Sequence, residues 1–230
     1  DDNEKIIYKT GYYIDEYKNG LWKVYNTKGE LIKDYYYNKD LLDVNYPMNI
    51  YYLSREVLEG FEYDLDNPYL KMKFFSKGLP EDYVFEGIYE SYYLNKNLHE
   101  SGVYKNNNKY GFWNEYYNNG NLKSKVNFDE FGNGNYSSYL EAGEISSVGN
   151  YKDYMKDGKW IIYYTSGNVE WILFYLNDII NPNKLCSNWY DTGYKKIESF
   201  LVNYKDQVIW DGRYIEYYDN GIIYLEGYYS

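Results

Sequence analysis

A single unit of about 24 residues recurs along this chain of 230 residues. Its pattern is approximately G-x-[WY]-x-x-Y-Y-x-x-G-x-[LIV]-x₅-[YF], and the clearest copies begin at Gly111, Gly158 and Gly212. Internal repeats of this length are typical of arrays in which each supersecondary unit packs on its neighbours. The repeat therefore constrains the possible folds more strongly than any other feature of the sequence.

The composition of the repeats favours β structure. Tyrosine accounts for 37 residues, whereas alanine occurs once, at Ala142, and proline four times. Aromatic side chains suit a pleated, half-buried surface, while a sequence that is poor in alanine contributes little to helix stability. We therefore predict an all-β protein.

Glycine at the centre of each unit predicts a hairpin. We number positions from the second residue of the Tyr-Tyr pair, so that Gly120, Gly167 and Gly221 stand at +3, preceded by Asn or Ser. Such dipeptides between two β-prone segments are a strong hairpin signal, because both central residues can adopt positive φ. We expect a first strand from about −6 to 0 and a second strand from about +5 to +11.

A single hairpin is marginally stable in water, so the units must stack. We predict an elongated, single-layer antiparallel meander of about nine to ten hairpins, which forms one array over residues 1–230. The array is more degenerate over 1–86, where one poor unit surrounds Phe75, and most regular over 87–175. Residues 176–230 contain an insert loop followed by the C-terminal repeats.

Alternation along each strand assigns side chains to the two faces of the sheet. We expect the side chains at repeat positions −4, 0, +5 and +11 to lie on one face of the sheet, and the side chain at position −1 to lie on the opposite face. Position −4 holds Trp22, Trp113 and Trp160, and glycine at −6 or +9 leaves room beneath large rings. The residues assigned to +5 are Leu31, Val57, Leu98, Leu122, Ile145, Val169, Lys195 and Ile223.

An aromatic residue precedes the reference position in every unit and lies among polar neighbours. Tyrosine is common in protein interfaces because it combines a large rigid surface with a hydroxyl group. Simple packing across a thin sheet is the alternative role for these rings. The candidate partner-binding residues are Tyr92, Tyr116, Tyr139, Tyr163 and Tyr217.

The net charge of −11 limits the classes of partner. Nucleic acids and anionic lipid surfaces are bound through clustered Lys and Arg, so we expect neither a nucleic acid nor a membrane lipid as partner. An acidic surface attracts basic proteins, although net charge also serves solubility.

The sequence offers no recognisable catalytic or metal-binding motif. Its one cysteine, Cys186, and its one histidine, His99, cannot supply a usual zinc site, and we expect no cofactor. We interpret Cys186 as a small buried hydrophobic residue and His99 as an ordinary strand residue. Because no run of 18 apolar residues occurs, we expect no membrane-spanning helix.

The repeat resembles the MORN repeat, in the variant found in many bacterial proteins. The resemblance is most specific over 111–122, 158–169 and 212–223, and recognisable over 20–31. It departs from the pattern at Lys195, which replaces an aliphatic residue. The resemblance implies a meander of β-hairpins used for contact with proteins or surfaces, and bacterial members are often assigned as antitoxins.

These observations favour a non-enzymatic interaction module whose partner is another protein or a cell-surface component. The alternatives are an antitoxin or immunity protein that neutralises a basic toxin, and a carbohydrate-binding surface module. The chain begins DDNEK without methionine, which a removed export signal or a trimmed sequence would both explain. We expect an exported or cell-surface protein, with a cytoplasmic location as the alternative.

Overall fold

The structure is a computed structural model that describes residues 6–57, 61–62, 64–65, 67–205 and 207–229. The chain divides into two compact units, Asp1–Gly120 and Asn121–Ser230. We call them unit 1 and unit 2. The prediction of one array over 1–230 stays a prediction.

Nearly all the regular structure in both units is β-strand. Unit 1 contains β1 (Ile6–Ile14), β2 (Tyr17–Asn26), β3 (Leu31–Asn38), β4 (Leu41–Leu42), β5 (Met48–Tyr51), a 3₁₀ turn (Ser54–Glu56), β6 (Leu70–Leu79), β7 (Asp82–Tyr92), β8 (Leu98–Lys105) and β9 (Asn108–Tyr116). Unit 2 contains β10 (Leu122–Phe128), β11 (Gly134–Tyr139), β12 (Ile145–Lys152), β13 (Met155–Tyr163), β14 (Val169–Leu176), β15 (Ile179–Ile180), β16 (Cys186–Trp189), β17 (Lys195–Tyr204), β18 (Gln207–Tyr217) and β19 (Ile223–Tyr229). Successive strands within each unit pair antiparallel, except that β5 pairs with β3 and β16 with β14, past the short strands β4 and β15. This confirms the predicted all-β meander of hairpins.

Seven of these strand pairs are the hairpins of the repeat, and they share one irregularity. We call them the repeat hairpins: β2–β3, β5–β6, β7–β8, β11–β12, β13–β14, β16–β17 and β18–β19. In β13–β14, Tyr163 pairs with Val169 whereas Ile162 pairs with Trp171, so the second strand carries one extra residue. This is a β-bulge, and it moves +5 onto the face that carries −1. Our assignment of +5 to the opposite face was wrong, because simple alternation does not hold across a bulge.

The turns of the repeat hairpins are also of a different type from the predicted one. In the turn after β13, the Gly167 amide donates to the Tyr164 carbonyl at 3.0 Å, and only Gly167 has positive φ, at 88°. This is a type I turn that ends in a left-handed glycine. Turns with two successive positive φ values occur instead between repeat hairpins, for example 51° at Asp153 and 65° at Tyr154.

One unit of the repeat extends further than the sequence indicated. Tyr51 pairs with Leu70, so β6 is the second strand of the hairpin that begins with β5. Val57 lies in the intervening loop, and Phe75 lies within β6 rather than in a separate degenerate unit. Both assignments were wrong, because the loop contains a 3₁₀ turn in which the Glu56 carboxylate accepts a hydrogen bond from the Leu53 amide at 2.9 Å.

Three tryptophan rings pack on the strand that precedes their own strand: β2 on β1, β9 on β8 and β13 on β12. A Cβ atom built on Gly149 would lie 2.1 Å from the ring of Trp160, and one built on Gly102 would lie 2.2 Å from the ring of Trp113. The same contact joins Gly11 and Trp22, again at 2.2 Å. The indole therefore lies directly on the glycine backbone, in a space that no other residue type leaves free. We call this contact the glycine–tryptophan step.

We predict that Gly149→Ala destabilises the protein by about 1–3 kcal/mol, because the added methyl group must displace the Trp160 ring. Gly227→Ala is the matched control, since Gly227 occupies the same repeat position and its Cβ would meet nothing within 4 Å. The control should be neutral or stabilise by up to about 1 kcal/mol. Urea denaturation of both variants measures the difference, and equal midpoints would contradict the step.

Candidate interaction surface

The tryptophans at −4 define one face of each unit, which we call the tryptophan face. Their rings are buried, with exposed fractions of 5% for Trp22, 3% for Trp113 and 4% for Trp160. A lysine ammonium lies over each ring, and the shortest distance is 4.0 Å from Lys109 to the Trp113 centroid. These indoles are engaged in packing and in cation–π contacts, so they offer little surface to a partner.

The opposite face carries the −1 aromatics, and we call it the tyrosine face. The structure places Tyr92 and Tyr116 in unit 1, and Tyr139, Tyr163 and Tyr217 in unit 2. All five side chains are half-buried, because each lies in a strand flanked by neighbouring strands on the same sheet. Where the register is described, the +5 residue lies directly opposite, as Leu98 does for Tyr92. Their predicted role in partner binding stays a prediction.

Two of these tyrosines are held by carboxylates. The Tyr92 hydroxyl donates to Glu90 at 2.6 Å, and the Tyr217 hydroxyl donates to Glu198 at 2.8 Å. Burial, reinforced by the hydrogen bond to Glu198, raises the pKa of Tyr217 to about 12. Both rings are thus fixed in orientation, so they form part of a rigid surface.

Lys195, which departs from the repeat pattern, completes one of these contacts. Its ammonium lies 2.5 Å from a Glu198 oxygen, and the other Glu198 oxygen accepts the Tyr217 hydroxyl. Burial alone would raise the pKa of Glu198, but the hydrogen bonds from Lys195 and Tyr217 lower it. The unusual lysine therefore balances a half-buried carboxylate of its own strand.

Four tyrosines at position 0 bond to the next repeat. The hydroxyl of Tyr164 donates to the carbonyl oxygen of the −1 residue of the next repeat, Trp189, at 2.7 Å, and that of Tyr93 donates to Tyr116 at 2.8 Å. Tyr52 and Tyr190 make the equivalent bonds to Tyr92 and Tyr217. The second tyrosine of the Tyr-Tyr pair is therefore a structural residue.

Unit 1 exposes a row of apolar side chains on the tyrosine face, which we call the exposed row. It consists of Ile88, Val103, Tyr110 and Phe112, with exposed fractions of 51%, 37%, 42% and 70%. Val103 pairs with Ile88 on one side and with Tyr110 on the other, so the row crosses β7, β8 and β9. Contiguous apolar surface of this kind is typical of interaction sites.

Sequence reasoning missed the exposed row because it considered only the aromatics that every unit shares. Phe112 stands at −5, where three other repeats carry a polar residue, such as Lys159, and four carry an apolar residue, such as Ile88. The residue type at −5 therefore varies among the repeats, and the repeat pattern gives no signal for Phe112.

Other candidate groups have structural roles. Cys186 is 1% exposed and lies in a hydrophobic cluster with Ile180 and Leu201, as predicted for a small buried residue. Burial raises the pKa of its thiol. His99 contacts the Tyr93 ring and lies 3.3 Å from the Ser91 hydroxyl. Within the described ranges, no group of three or more His, Cys, Asp or Glu side chains is arranged to hold a metal ion.

The described part of the chain also contains no helix that is long and apolar enough to cross a membrane.

The fold and these contacts define a β-hairpin repeat protein. The family described as MORN repeat variant matches residues 85–106, 111–130, 156–177 and 210–230. The chain therefore contains MORN repeats, as the resemblance of its repeats indicated. MORN repeats generally mediate contacts with proteins or surfaces, and the family is a non-catalytic repeat module.

Two crystal structures, described as TcdB2-TccC3-TEV and TcdB2-TccC3-Cdc42, match 91% and 90% of this chain at 10% and 9% sequence identity. The match covers 13% and 12% of those chains, so this chain spans only a small part of their length. The TM-scores are 0.20 and 0.22, too low to support any argument about function. No curated protein matches the chain.

We predict that the protein loses stability between about pH 10 and pH 12. Burial is the main cause that raises the pKa of four tyrosines from 10.0 to about 12, namely Tyr104, Tyr151, Tyr214 and Tyr217. Because the folded pKa is the higher one, this contribution to stability is complete below pH 10 and is lost as the pH rises through 12. Urea midpoints measured across this range test the prediction, and a constant midpoint would contradict it.

Proposed function

We propose that this protein is a non-enzymatic module that binds another protein through the exposed row of unit 1. The observation that supports the proposal most directly is the run of exposed apolar side chains across three strands, with Phe112 at 70% exposure. Burying such a surface against a partner releases water and is favourable by about 25 cal/mol per Å².

The surroundings of the exposed row suit a specific contact. Tyr92, on the same strand and face as Ile88, is held by Glu90, which also pairs with Lys73 at 2.6 Å. A rigid apolar centre beside ordered polar groups is the usual arrangement of a protein interface. This supports a binding role for Tyr92 as part of the rim rather than as the centre of the surface.

The net charge of −11 favours a partner with a basic surface. Neutralisation of a basic toxin is therefore the second candidate function, and it predicts binding that weakens steeply with salt. Co-expression with a neighbouring gene product that arrests growth would test it by rescue. Export of the protein and carbohydrate binding stay predictions, without a specific contact in their favour.

We predict that Phe112→Ser lowers partner capture at least about ten-fold, because central aromatic residues dominate interface energies. The full-length protein serves as bait with an extract of its source cells, and captured proteins are quantified for each variant. Phe131→Ser is the matched control, since Phe131 is 66% exposed but lies in a turn of unit 2.

Both variants should keep the urea midpoint of the unsubstituted protein, since both side chains are exposed. Equal capture by the two variants would contradict the role of the exposed row. A ligand whose capture is unchanged by Phe112→Ser but abolished by free sugars would instead support carbohydrate binding.

A further inference from the structure

The chain builds the same insert twice, once in each unit. In unit 1, β4 folds back on β3, where Tyr37 pairs with Leu42, and β5 then pairs with the same strand. In unit 2, β15 folds back on β14, where Tyr175 pairs with Ile180, and β16 follows in the same way. The two inserts can therefore be compared position by position through their strand pairing.

In unit 1 the space around the insert is filled by aromatic rings. Phe74, which pairs with Met48, is fully buried, and Tyr35, which pairs with Trp22, is 1% exposed. The Phe74 ring lies 4.7 Å from that of Phe85 and 5.2 Å from that of Tyr83. These distances are typical of well-packed aromatic side chains.

In unit 2 smaller side chains occupy several of the same positions. Leu173 pairs with Trp160 and so corresponds to Tyr35 of unit 1, which pairs with Trp22. Ser199 pairs with Cys186 and so corresponds to Phe74 of unit 1, which pairs with Met48. Val208 pairs with Asn203 in unit 2, as Tyr83 pairs with Gly78 in unit 1. Val208 therefore occupies the position that corresponds to Tyr83. Three rings of unit 1 therefore have no counterpart in unit 2.

Two of these residues, Leu173 and Val208, line an open groove of about 330 Å³ on the tryptophan face of unit 2. Its lining is apolar and includes Trp171, Leu173, Leu201, Val208 and Trp210. The two indoles lie 6.3 Å apart at an angle of 22°, so they present nearly parallel faces. Val208 is 52% exposed, which leaves this side of the groove open to solvent.

We propose that this groove binds an aromatic side chain from a segment of a partner protein, flanked by lysine or arginine. The equivalent position in unit 1 supports an aromatic occupant, because there the same framework is completed by the rings of Phe74, Tyr35 and Tyr83. The volume lies at the lower end of the range for ligand pockets, which suits one large side chain. The net charge of −11 favours basic flanking residues.

This inference rests on the proposed function in one respect, namely that the partner is a protein. The site is a different one, since the exposed row lies in unit 1 and the groove lies within unit 2. The two sites can therefore be inactivated separately.

The test uses the full chain and a blocked peptide, Lys-fluorotryptophan-Lys, observed by fluorine NMR. The structure predicts a concentration-dependent shift of the fluorine resonance. Unlabelled Lys-Trp-Lys should reverse this shift at a concentration at least about ten-fold lower than Lys-Ala-Lys. Absence of a shift, or equal competition by the two peptides, would overturn the proposal.

A substitution copied from unit 1 supplies the decisive variant. Val208→Tyr restores the side chain found at Tyr83 and should fill the groove, lowering peptide affinity at least about ten-fold. Ile209→Tyr is the matched control, because Ile209 is the next residue of β18 and therefore points to the opposite face. Equal affinities of the two variants would also overturn the proposal.

Phe112→Ser separates this inference from the proposed function. It should leave peptide binding unchanged, while Val208→Tyr should leave capture through the exposed row unchanged. If the peptide fails to bind while Phe112→Ser still abolishes capture, the groove proposal falls and the proposed function stands. The reverse pattern would overturn the exposed row and leave the groove in place.

Discussion

The glycine–tryptophan step controls how neighbouring strands of this protein meet. Each indole lies on the bare backbone of a glycine eleven residues earlier, as Trp160 lies on Gly149 and Trp113 on Gly102. The ring of the tyrosine two residues after each glycine packs edge-on against the same indole, at 5.6 Å for Tyr151 and 4.8 Å for Tyr104. Because the ring needs a position without a Cβ atom, the contact selects one register between strands that main-chain hydrogen bonds alone would specify only weakly.

The β-bulge in the repeat hairpins has the complementary effect within each hairpin. It brings −1 and +5 opposite each other, as for Tyr217 and Ile223, and so puts a tyrosine and an aliphatic side chain on the same face. The tyrosine face is therefore more apolar than alternation alone indicates. This provides the setting for the exposed row, in which Val103 and Phe112 face solvent instead of being covered by another layer.

The two inserts indicate how a repeat protein can acquire a binding site without changing its framework. The strands pair in the same way around Leu42 in unit 1 and around Ile180 in unit 2. The space beside the insert contains the Phe74 ring in unit 1, whereas unit 2 has a groove beside Trp210. A change in side-chain volume at a few positions is sufficient, because closely packed interiors compensate poorly for missing atoms.

Local features of the sequence determined the all-β class, the hairpins and the family. The turn glycines and the Tyr-Tyr pairs act within a few residues, so a single copy such as 158–169 already predicts its hairpin. Only the tertiary structure decided the face of +5, the pairing of Tyr51 with Leu70 and the existence of the groove. The bulge changes the register within one hairpin, whereas the other two features depend on residues that are distant in the chain: a long loop displaces a strand, and the groove is lined by side chains from several strands. Repeat spacing carries no record of such long-range contacts, which is why the candidate site was less predictable than the fold.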